Sequence, residues 1–219
     1  MKCLGKVNKS FKGVMFTVLV ACRNSVRPRL LFITSNMNKV LEAKSILRKF
    51  GIVFKHLNLK YPEIQAESLR VIASESARYL YEKLGNSLFI EDSGLFIDTL
   101  GGFPGPYSSY VYKTIGNNGI LKLMKNALCR SARFESVVAY IDSPQNIHIF
   151  TGIVKGTISS RIRGQKWGFD PIFIPEGKDQ TYAEMGFDEK QRLSHRRIAL
   201  EKFAFWMMKN RREAFRSFH

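Results

Sequence analysis

A short apolar run near position 30 is followed at once by a helical pattern. Residues 30–34 (LLFIT) are largely apolar, which is typical of a strand buried on both faces. After the polar pair at 35–36, apolar side chains recur at positions 40, 43, 47 and 50, and Gly51 ends the pattern. That spacing predicts an amphipathic helix closed by a glycine. A buried strand leading into such a helix indicates an α/β fold.

The rest of the chain continues this alternation and then changes to a hairpin. The further predicted elements are, in chain order, a strand at 52–59, a helix at 68–84, a strand at 87–90, an irregular ordered loop at 101–106, a helix near 118–127, paired strands at 134–141 and 147–155, a loop with a short strand at 167–176, and a last helix at 194–209. The five residues at 142–146 would form a long hairpin loop. This order predicts a mixed sheet with flanking helices.

Size and composition limit the classes of protein. The 219 residues are 45% hydrophobic, which suits one medium domain or two small lobes sharing a sheet and excludes wholesale disorder. The net charge of +17 suits a protein that handles polyanions, nucleotides or nucleic acid, although a generally basic proteome would give the same excess. Three scattered cysteines without a CxxC pair indicate neither a disulfide framework nor a zinc site, and favour a cytoplasmic location.

The two ends of the chain differ from its middle. Residues 1–29 contain seven basic side chains, no acidic one, and a nine-residue apolar run at 14–22. This resembles a signal peptide only superficially, because the residues after the run lack a small-x-small cleavage pattern. We expect an accessory strand or an over-extended start instead. The predicted organisation is therefore a basic extension at 1–29, one domain at 30–208, and a basic tail at 209–219.

The turn between the first strand and the first helix has the composition of a phosphate site. Its residues are Thr34, Ser35, Asn36, Met37, Asn38 and Lys39. Backbone N–H groups at a helix N-terminus, hydroxyl groups and an ammonium group together bind phosphate well. The P-loop pattern GxxxxGK[ST] is absent from the sequence. An ordinary capped helix start has the same composition, so both interpretations stay open here.

Acidic residues occur at two predicted loop positions. Glu63 lies in a Pro-Glu-Ile-Gln segment, and Glu91 and Asp92 follow the strand predicted at 87–90. Carboxylates on separate loops at one sheet edge can share Mg²⁺ with water and phosphate oxygens. One of them can also deprotonate a water molecule. Taken individually, each acid is more often a helix cap or a solvated surface group.

The last predicted helix begins with an electrostatic conflict. Ser194 is a plausible N-cap, which places His195 and Arg196 in the first turn. Basic side chains there oppose the helix dipole, a cost that a bound anion or a carbonyl acceptor would offset. The conflict favours contact with a ligand.

Seven segments in this order resemble the inosine triphosphate pyrophosphatase family. They are TSNMNK, PEIQ, EDSGL, LGGFPGPYS, WGFDPIF, TYAEM and EKQRLSHR, spread over residues 34–196, and the resemblance extends over about 30–205. It implies an elongated, two-lobed α/β fold around a long mixed sheet, usually a homodimer, with the active site in the cleft between the lobes. It also implies Mg²⁺-dependent hydrolysis of ITP, dITP and XTP to the monophosphate and pyrophosphate.

The resemblance also implies roles for individual residues. Thr34 to Lys39 would hold the triphosphate, Glu63 and Asp92 would bind Mg²⁺, and Asp92 would accept the proton of the attacking water beside Ser93, which would contact the substrate. The segment that packs on base and sugar would be Trp167, Gly168, Phe169 and Asp170. Base recognition would fall to Lys190, His195 and Arg196. Donors from these side chains suit a 6-oxopurine, whereas the 6-amino group of adenine would leave them unpaired.

The sequence departs from the family pattern in three places. The extension at 1–29 lies outside it, and Glu91 replaces the usual first aspartate of the acidic segment. Glu75, twelve residues after Glu63, stands where the family commonly has a lysine near the phosphates. We expect Arg78 to pair with Glu75 and to reach the phosphates, unless Glu75 simply points to solvent.

Two other functions remain open from the sequence. A nucleic-acid-binding module would use the basic ends, but the aromatic residues fall mostly on predicted core positions. A related pyrophosphatase of the septum-inhibitor type would act on pyrimidine or modified nucleotides. The SHR and WGFD segments, at 194–196 and 167–170, argue against it.

Overall fold

A computed structural model describes residues 30–216, with side chains to Asn210. The expectations for residues 1–29 therefore lie outside the described residues. The strands are β1 Leu31–Ile33, β2 Lys55–Leu57, β3 Leu88–Ile97, β4 Pro104–Gly105, β5 Ser131–Ser143, β6 Asn146–Ile158 and β7 Phe173–Pro175. The α-helices are α1 Met37–Leu47, α2 Leu69–Leu84, α3 Ser108–Thr114, α4 Gly116–Leu123, α5 Phe187–Arg192 and α6 His195–Arg216.

One mixed sheet connects all seven strands, which confirms the predicted α/β class. Its order is β2-β1-β3-β5-β6-β7, with β4 paired to β3. Strand β1 runs parallel to β2 and β3, and the other pairs are antiparallel. The parallel part is short because β1 has only three residues, whereas β3 continues far beyond its end.

The sheet is covered by helices on both faces. Helices α1 and α6 pack on one face around Phe32, Phe89 and Phe203, and α2 packs on the other face around Ile33 and Ile90. The alternation of side chains along β3 separates these two clusters, because successive residues point to opposite faces. A third cluster joins α3, α4 and the outer ends of β5 to β7. Within residues 30–216, no helix combines the length and apolarity that a membrane span requires.

The prediction that the third strand ends at Ile90 is wrong. Strand β3 runs through the EDSG segment to Ile97, because β5 pairs with it along its whole length, from Leu88↔Ile141 to Ile97↔Ala132. The residues after Ile90 nevertheless lie beside the end of β1, whose last pair with β3 is Phe32↔Phe89. Glu91 and Asp92 are thus at the carboxyl edge of the parallel strands, although they belong to a longer strand.

Other predicted boundaries also need correction. The hairpin strands are longer than predicted, and the turn between β5 and β6 contains two residues, Pro144 and Gln145, instead of five. The helix predicted near 118–127 begins at Gly116. Helices α3 and α5 were not predicted, because they are short. The strand predicted at 52–59 contains only β2, and the last helix continues beyond 209. Pro104–Gly105, predicted to be irregular, pairs with β3.

Close packing explains why position 94, in the EDSG segment, is a glycine. A Cβ atom on Gly94 would lie 2.2 Å from the carbonyl oxygen of Gly105, so only glycine lets the 101–106 loop close onto β3. Ser108 joins the two, since its hydroxyl donates to Gly105 O at 2.7 Å and accepts from Leu95 N at 2.8 Å. The loop is therefore fixed directly beside the acidic segment.

Candidate active site

The turn after β1 caps the start of α1, and several of its polar side chains take no part in the capping. Asn36 is the N-cap of α1, because its Oδ1 accepts from Asn38 N at 3.0 Å. Thr34 Oγ1 accepts from Asn36 N at 3.1 Å, and a ring nitrogen of His56 lies 2.9 Å from Thr34 O. The side chains of Ser35, Met37 and Asn38 are exposed. The helix cap is therefore present and uses only part of the turn, while phosphate binding by the turn stays a prediction.

Lys39 connects this turn to the acidic strand. Its ammonium group donates to Glu91 O at 2.8 Å and lies 3.0 Å from Glu91 Oε2. The side chain of Lys39 is only 14% exposed. The lysine is therefore held at the carboxyl edge of β1 and β3 by contacts formed across 52 residues of sequence.

Glu91 is the centre of a buried ion-pair network. Besides Lys39, Arg196 pairs with it through Nε at 3.1 Å from Oε1, and the Ser136 hydroxyl donates to Oε1 at 2.6 Å. Burial would raise the pKa of Glu91, but Arg196 and Lys39 outweigh burial and hold the pKa well below its usual range. Glu91 is thus an ionised, fully enclosed anchor for one basic residue from α1 and one from α6.

Asp92 has the opposite electrostatic character. As the next residue on β3, it points to the other face of the sheet. Burial is the main cause that raises its pKa to about 6, and the charges of Glu91 and Glu63 act in the same direction against the opposing effect of Lys39. The Asp92 carboxylate accepts from Ser93 N at 2.8 Å. A carboxylate with this pKa can take up a proton near neutral pH.

Glu63 and Tyr61 approach Asp92 from the segment before α2. Burial raises the pKa of the Tyr61 phenol, and the neighbouring charges of Glu63 and Asp92 add to the effect. Among the described residues, no cluster of three or more acidic, histidine or cysteine side chains could hold a metal ion. Two neighbouring carboxylates still fit Mg²⁺, which commonly binds one or two carboxylates and takes its other ligands from water and substrate phosphates.

Residues 167–170, which the resemblance assigns to base and sugar binding, lie beside the basic side chains of Lys190 and Arg196. Trp167 is 37% exposed, and its ring has Lys190 Nζ at 5.4 Å and the Arg196 guanidinium at 5.7 Å from its centre. Gly168 has φ of +68°, a conformation that suits glycine. Phe169 is buried in the core. The segment therefore presents one aromatic face next to two cations.

Side chains outside the segment fix its position. Asp170 is buried and forms a short contact with Lys190. Lys166 donates to Tyr182 O and Met185 O at 3.2 and 2.5 Å. Asn117, at the start of α4, donates from Nδ2 to Gly168 O at 3.1 Å. Neither Lys166 nor Asn117 belongs to the segments used for the resemblance, and only the structure reveals their role in holding the loop.

His195 and Arg196 occupy the first turn of α6 as predicted. Ser194 is the N-cap, with its Oγ 3.4 Å from Arg197 N. His195 is buried and stacks on Phe134 at 4.7 Å. Burial and the neighbouring Arg196 lower its pKa well below the usual value, so the ring is neutral. Neighbouring carboxylates neutralise the positive charge of Arg196, and this resolves its conflict with the dipole of α6.

The sequence analysis missed the second carboxylate that holds Arg196. Glu42, on α1, lies 2.6 Å from Arg196 Nη1 and 4.0 Å from Lys190 Nζ, and it is 5% exposed. Arg196 Nη2 also donates to Ser93 Oγ at 3.0 Å. A signal was present, since Glu42 lies between the apolar positions 40, 43 and 46 on the buried side of the helix. A charged residue there has to find a buried partner.

Glu75 and Arg78 form the predicted ion pair at 3.8 Å, and both are about half exposed. Arg78 also donates to Pro144 O at 3.2 Å, in the turn between β5 and β6. That turn lies beyond the starts of β1 and β3, at the opposite sheet edge from Lys39. This geometry does not support the expectation that Arg78 reaches the phosphates. Glu75 lines a groove of about 330 Å³ together with Pro62 and Ile64, which flank Glu63.

Comparison with known proteins identifies the family. Residues 30–206 match the profile of the Ham1 family. A protein named dITP/XTP pyrophosphatase from Methanopyrus kandleri is 51% identical over 183 residues, which cover 83% of this chain and 97% of that protein. One with the same name from Thermococcus kodakarensis is 50% identical, with 83% and 98% covered.

Solved structures agree with this match. A Ham1 protein from Coxiella burnetii aligns with a TM-score of 0.74 at 26% identity, and the alignment covers 83% of this chain and 98% of that one. A nucleoside-triphosphatase, also named dITP/XTP pyrophosphatase, from Mycobacterium abscessus aligns with a TM-score of 0.66 at 28% identity, covering 80% and 97%. The resemblance inferred from seven sequence segments is confirmed, and this chain belongs to the Ham1 family.

Proposed function

We propose that this protein hydrolyses non-standard purine nucleoside triphosphates, namely ITP, dITP and XTP, to the monophosphate and pyrophosphate. The observation that carries the proposal is the ion-pair network around Glu91. It joins Lys39, beside the turn after β1, to Arg196, beside Trp167. Such an arrangement suits a ligand with phosphates at one end and a flat base at the other. The relatives from Methanopyrus kandleri and Thermococcus kodakarensis are named for two of these substrates, dITP and XTP.

In the proposed reaction each part of the site has a separate task. The turn from Thr34 to Lys39 binds the triphosphate, and Lys39 offsets charge on the phosphates. Asp92 accepts a proton from the water that attacks the α-phosphorus, for which its raised pKa is suited. Glu63 and Asp92 would hold Mg²⁺, which when bound neutralises charge on the phosphate oxygens.

Base selection would rest on donors that meet a 6-oxo group. Arg196 uses Nη1 for Glu42 and Nη2 for Ser93, yet each of these nitrogens carries a second N–H. The neutral His195 ring supplies one further donor. Adenine presents an amino group at the same position and would leave these donors unpaired, a difference worth about 1–3 kcal/mol for each buried group. Trp167 stacks on any base and contributes affinity without selection.

The test is release of pyrophosphate from ITP, XTP, dITP, ATP and UTP with Mg²⁺. We expect rapid release from the first three and little from ATP. Preferred cleavage of UTP would instead support the septum-inhibitor type of pyrophosphatase. Binding of nucleic acid without any release of pyrophosphate would support a nucleic-acid-binding module.

We also propose that the protein acts as a cytoplasmic homodimer. Five large apolar or aromatic side chains are exposed between positions 103 and 115, namely Phe103, Tyr107, Tyr110, Tyr112 and Ile115. A second copy that covers them would remove this area from water. Sedimentation at several protein concentrations tests the proposal, and Tyr110→Lys, at the most exposed of the five positions, should shift the equilibrium towards monomer.

Deletion of residues 1–28 should leave the activity intact. All seven family segments and all site residues lie beyond the deleted part, so we propose that 30–208 is the catalytic unit. The measurement is pyrophosphate release from ITP by the full and the shortened protein, together with their sedimentation. A soluble but inactive or newly monomeric product would show that the extension belongs to the functional unit.

Glu75→Lys should lower KM for ITP. Glu75 lines the groove beside the Glu63 loop, and at ~8 Å with an effective dielectric constant near 20 one unit charge contributes about 2 kcal/mol before salt screening. The matched control is Glu82→Lys, an equal change of charge one helix turn from Arg78 in the same groove. KM for both variants is measured at two ionic strengths. An unchanged KM, or a change that salt does not reduce, would place Glu75 away from the phosphates.

A further inference from the structure

Glu42 is a buried carboxylate that contacts both cations beside Trp167. It lies 2.6 Å from Arg196 Nη1 and 4.0 Å from Lys190 Nζ. Its own residue is 5% exposed, and the contact with Arg196 spans 154 positions of sequence. A carboxylate enclosed in this way affects every charge near it strongly, because little water screens it.

The charges around Glu42 cancel. Three carboxylates, Glu42, Glu91 and Asp170, face three cations, Lys39, Lys190 and Arg196, in one connected set of contacts. Arg196 comes from α6, Lys190 from α5, Glu91 from β3 and Lys39 from α1 itself. The neutral His195 ring adds no charge. This connected set therefore carries three formal charges of each sign, and Lys166, which precedes Trp167 and interacts with Lys190 and Asp170, adds one cation outside the set.

The two proposed bases differ in charge as well as in shape. Hypoxanthine is neutral at neutral pH. Xanthine carries a second ring carbonyl group, and its nucleotides lose a ring proton close to neutral pH, so that the base becomes an anion. Removal of one negative charge from the site therefore raises the affinity for the anionic base relative to the neutral one.

We propose that Glu42 sets the charge of the base site and thereby determines the relative affinity for neutral and anionic oxopurines. This inference rests on the proposed function, since it assigns these bases to the site beside Trp167. It concerns the choice between two substrates of that site and assigns Glu42 no part in the reaction at the phosphates.

The experiment measures binding of IMP and XMP by calorimetry to the full protein and to Glu42→Gln. Glutamine keeps the size and an acceptor oxygen but removes the charge. We expect the ratio of XMP affinity to IMP affinity to rise at least about fivefold in the variant, because one unit charge in a partly buried site has a Coulomb energy of this order. The rise should be present above the pH at which xanthine ionises, determined for free XMP by ultraviolet titration, and should vanish below it.

Three further variants separate charge from packing. Asp170→Asn removes a negative charge from another element and should shift the ratio in the same direction. Lys190→Gln removes a positive charge and should shift it in the opposite direction. Glu201→Gln breaks a surface pair with Arg197 and should leave the ratio unchanged. The Asp170 and Lys190 variants carry the test if Glu42→Gln does not fold.

Equal weakening of both nucleotides in Glu42→Gln, or a ratio that does not follow xanthine ionisation, would overturn the inference and leave Glu42 a structural residue. The proposed function has its own readout, release of pyrophosphate by the unaltered protein. Binding of the two monophosphates does not require hydrolysis, so failure of one proposal is distinguishable from failure of the other.

Discussion

Asp92→Asn is expected to lose at least ~10²-fold in kcat for ITP and, at the same time, to make the free protein more stable. The loss follows because asparagine cannot accept a proton from the attacking water, and because one of two carboxylates offered to Mg²⁺ is removed. The gain follows because the folded protein encloses an ionised Asp92 at a cost. Asparagine has no charge to enclose and retains an acceptor for Ser93 N.

The expected gain follows from the direction of the pKa shift. The pKa of Asp92 is raised from 3.8 to about 6 in the folded protein. As pH rises from about 4 to 6, the unfolded chain releases this proton first, so the shift lowers the free energy of unfolding by up to about 3 kcal/mol at neutral pH. Asp92→Asn should restore about 1–3 kcal/mol at pH 7 and nothing at pH 3.

Denaturant unfolding at the two pH values, without nucleotide and Mg²⁺, measures the gain. The matched control is Asp98→Asn, an exposed aspartate just after β3, which should change neither turnover nor stability appreciably. Near-normal turnover by a folded Asp92→Asn protein would move the proton acceptor elsewhere. A loss of stability at pH 7 would show that ionised Asp92 makes a favourable contact in the free protein.

Sequence patterns predicted the elements that depend on local periodicity. The first strand, α1, α2 and the hairpin carry apolar residues at regular spacing, and their existence is confirmed. The length of β3 was missed, because it is determined by pairing with β5, some 45 positions away along the chain. Helix α3 was missed for a similar reason. It has seven residues and buries Val111 against distant strands, and such packing leaves no local signal.

For the site, too, part could be predicted from the sequence and part could not. The resemblance carried by the seven segments implied which residues matter, and the resemblance itself is confirmed by the family match. The contacts between those residues were not predictable, because Lys39, Glu91 and Arg196 lie far apart in sequence and nothing in their spacing encodes a distance. The residue-by-residue roles stay predictions that the variants described above test.

Glu91→Gln should destabilise the protein by at least about 3 kcal/mol at pH 7 and should also abolish most of the turnover. Glu91 is the shared partner of Lys39 and Arg196, and removal of one member of a buried ion pair leaves an uncompensated charge, with a typical cost of 3–5 kcal/mol. Glutamine keeps an acceptor for the Ser136 hydroxyl but has no charge. Glu42 still binds Arg196 on its other side, so Lys39 should lose more than Arg196.

The pH dependence of this effect is opposite to that of Asp92. Because the pKa of Glu91 lies well below its ordinary 4.5, its stabilisation is complete above about 4.5 and decreases as pH falls below that value. The difference in unfolding free energy between the unaltered protein and Glu91→Gln should therefore be largest at neutral pH and should narrow below pH 4.5.

Denaturant unfolding at pH 7 and 3 measures this difference, with Glu201→Gln as a surface-pair control worth at most about 1 kcal/mol. A difference that stays constant down to pH 3 would mean that Glu91 acts through packing and its bond to Ser136. The ion pairs that join the two ends of the site would then contribute little to holding Lys39 and Arg196 in place.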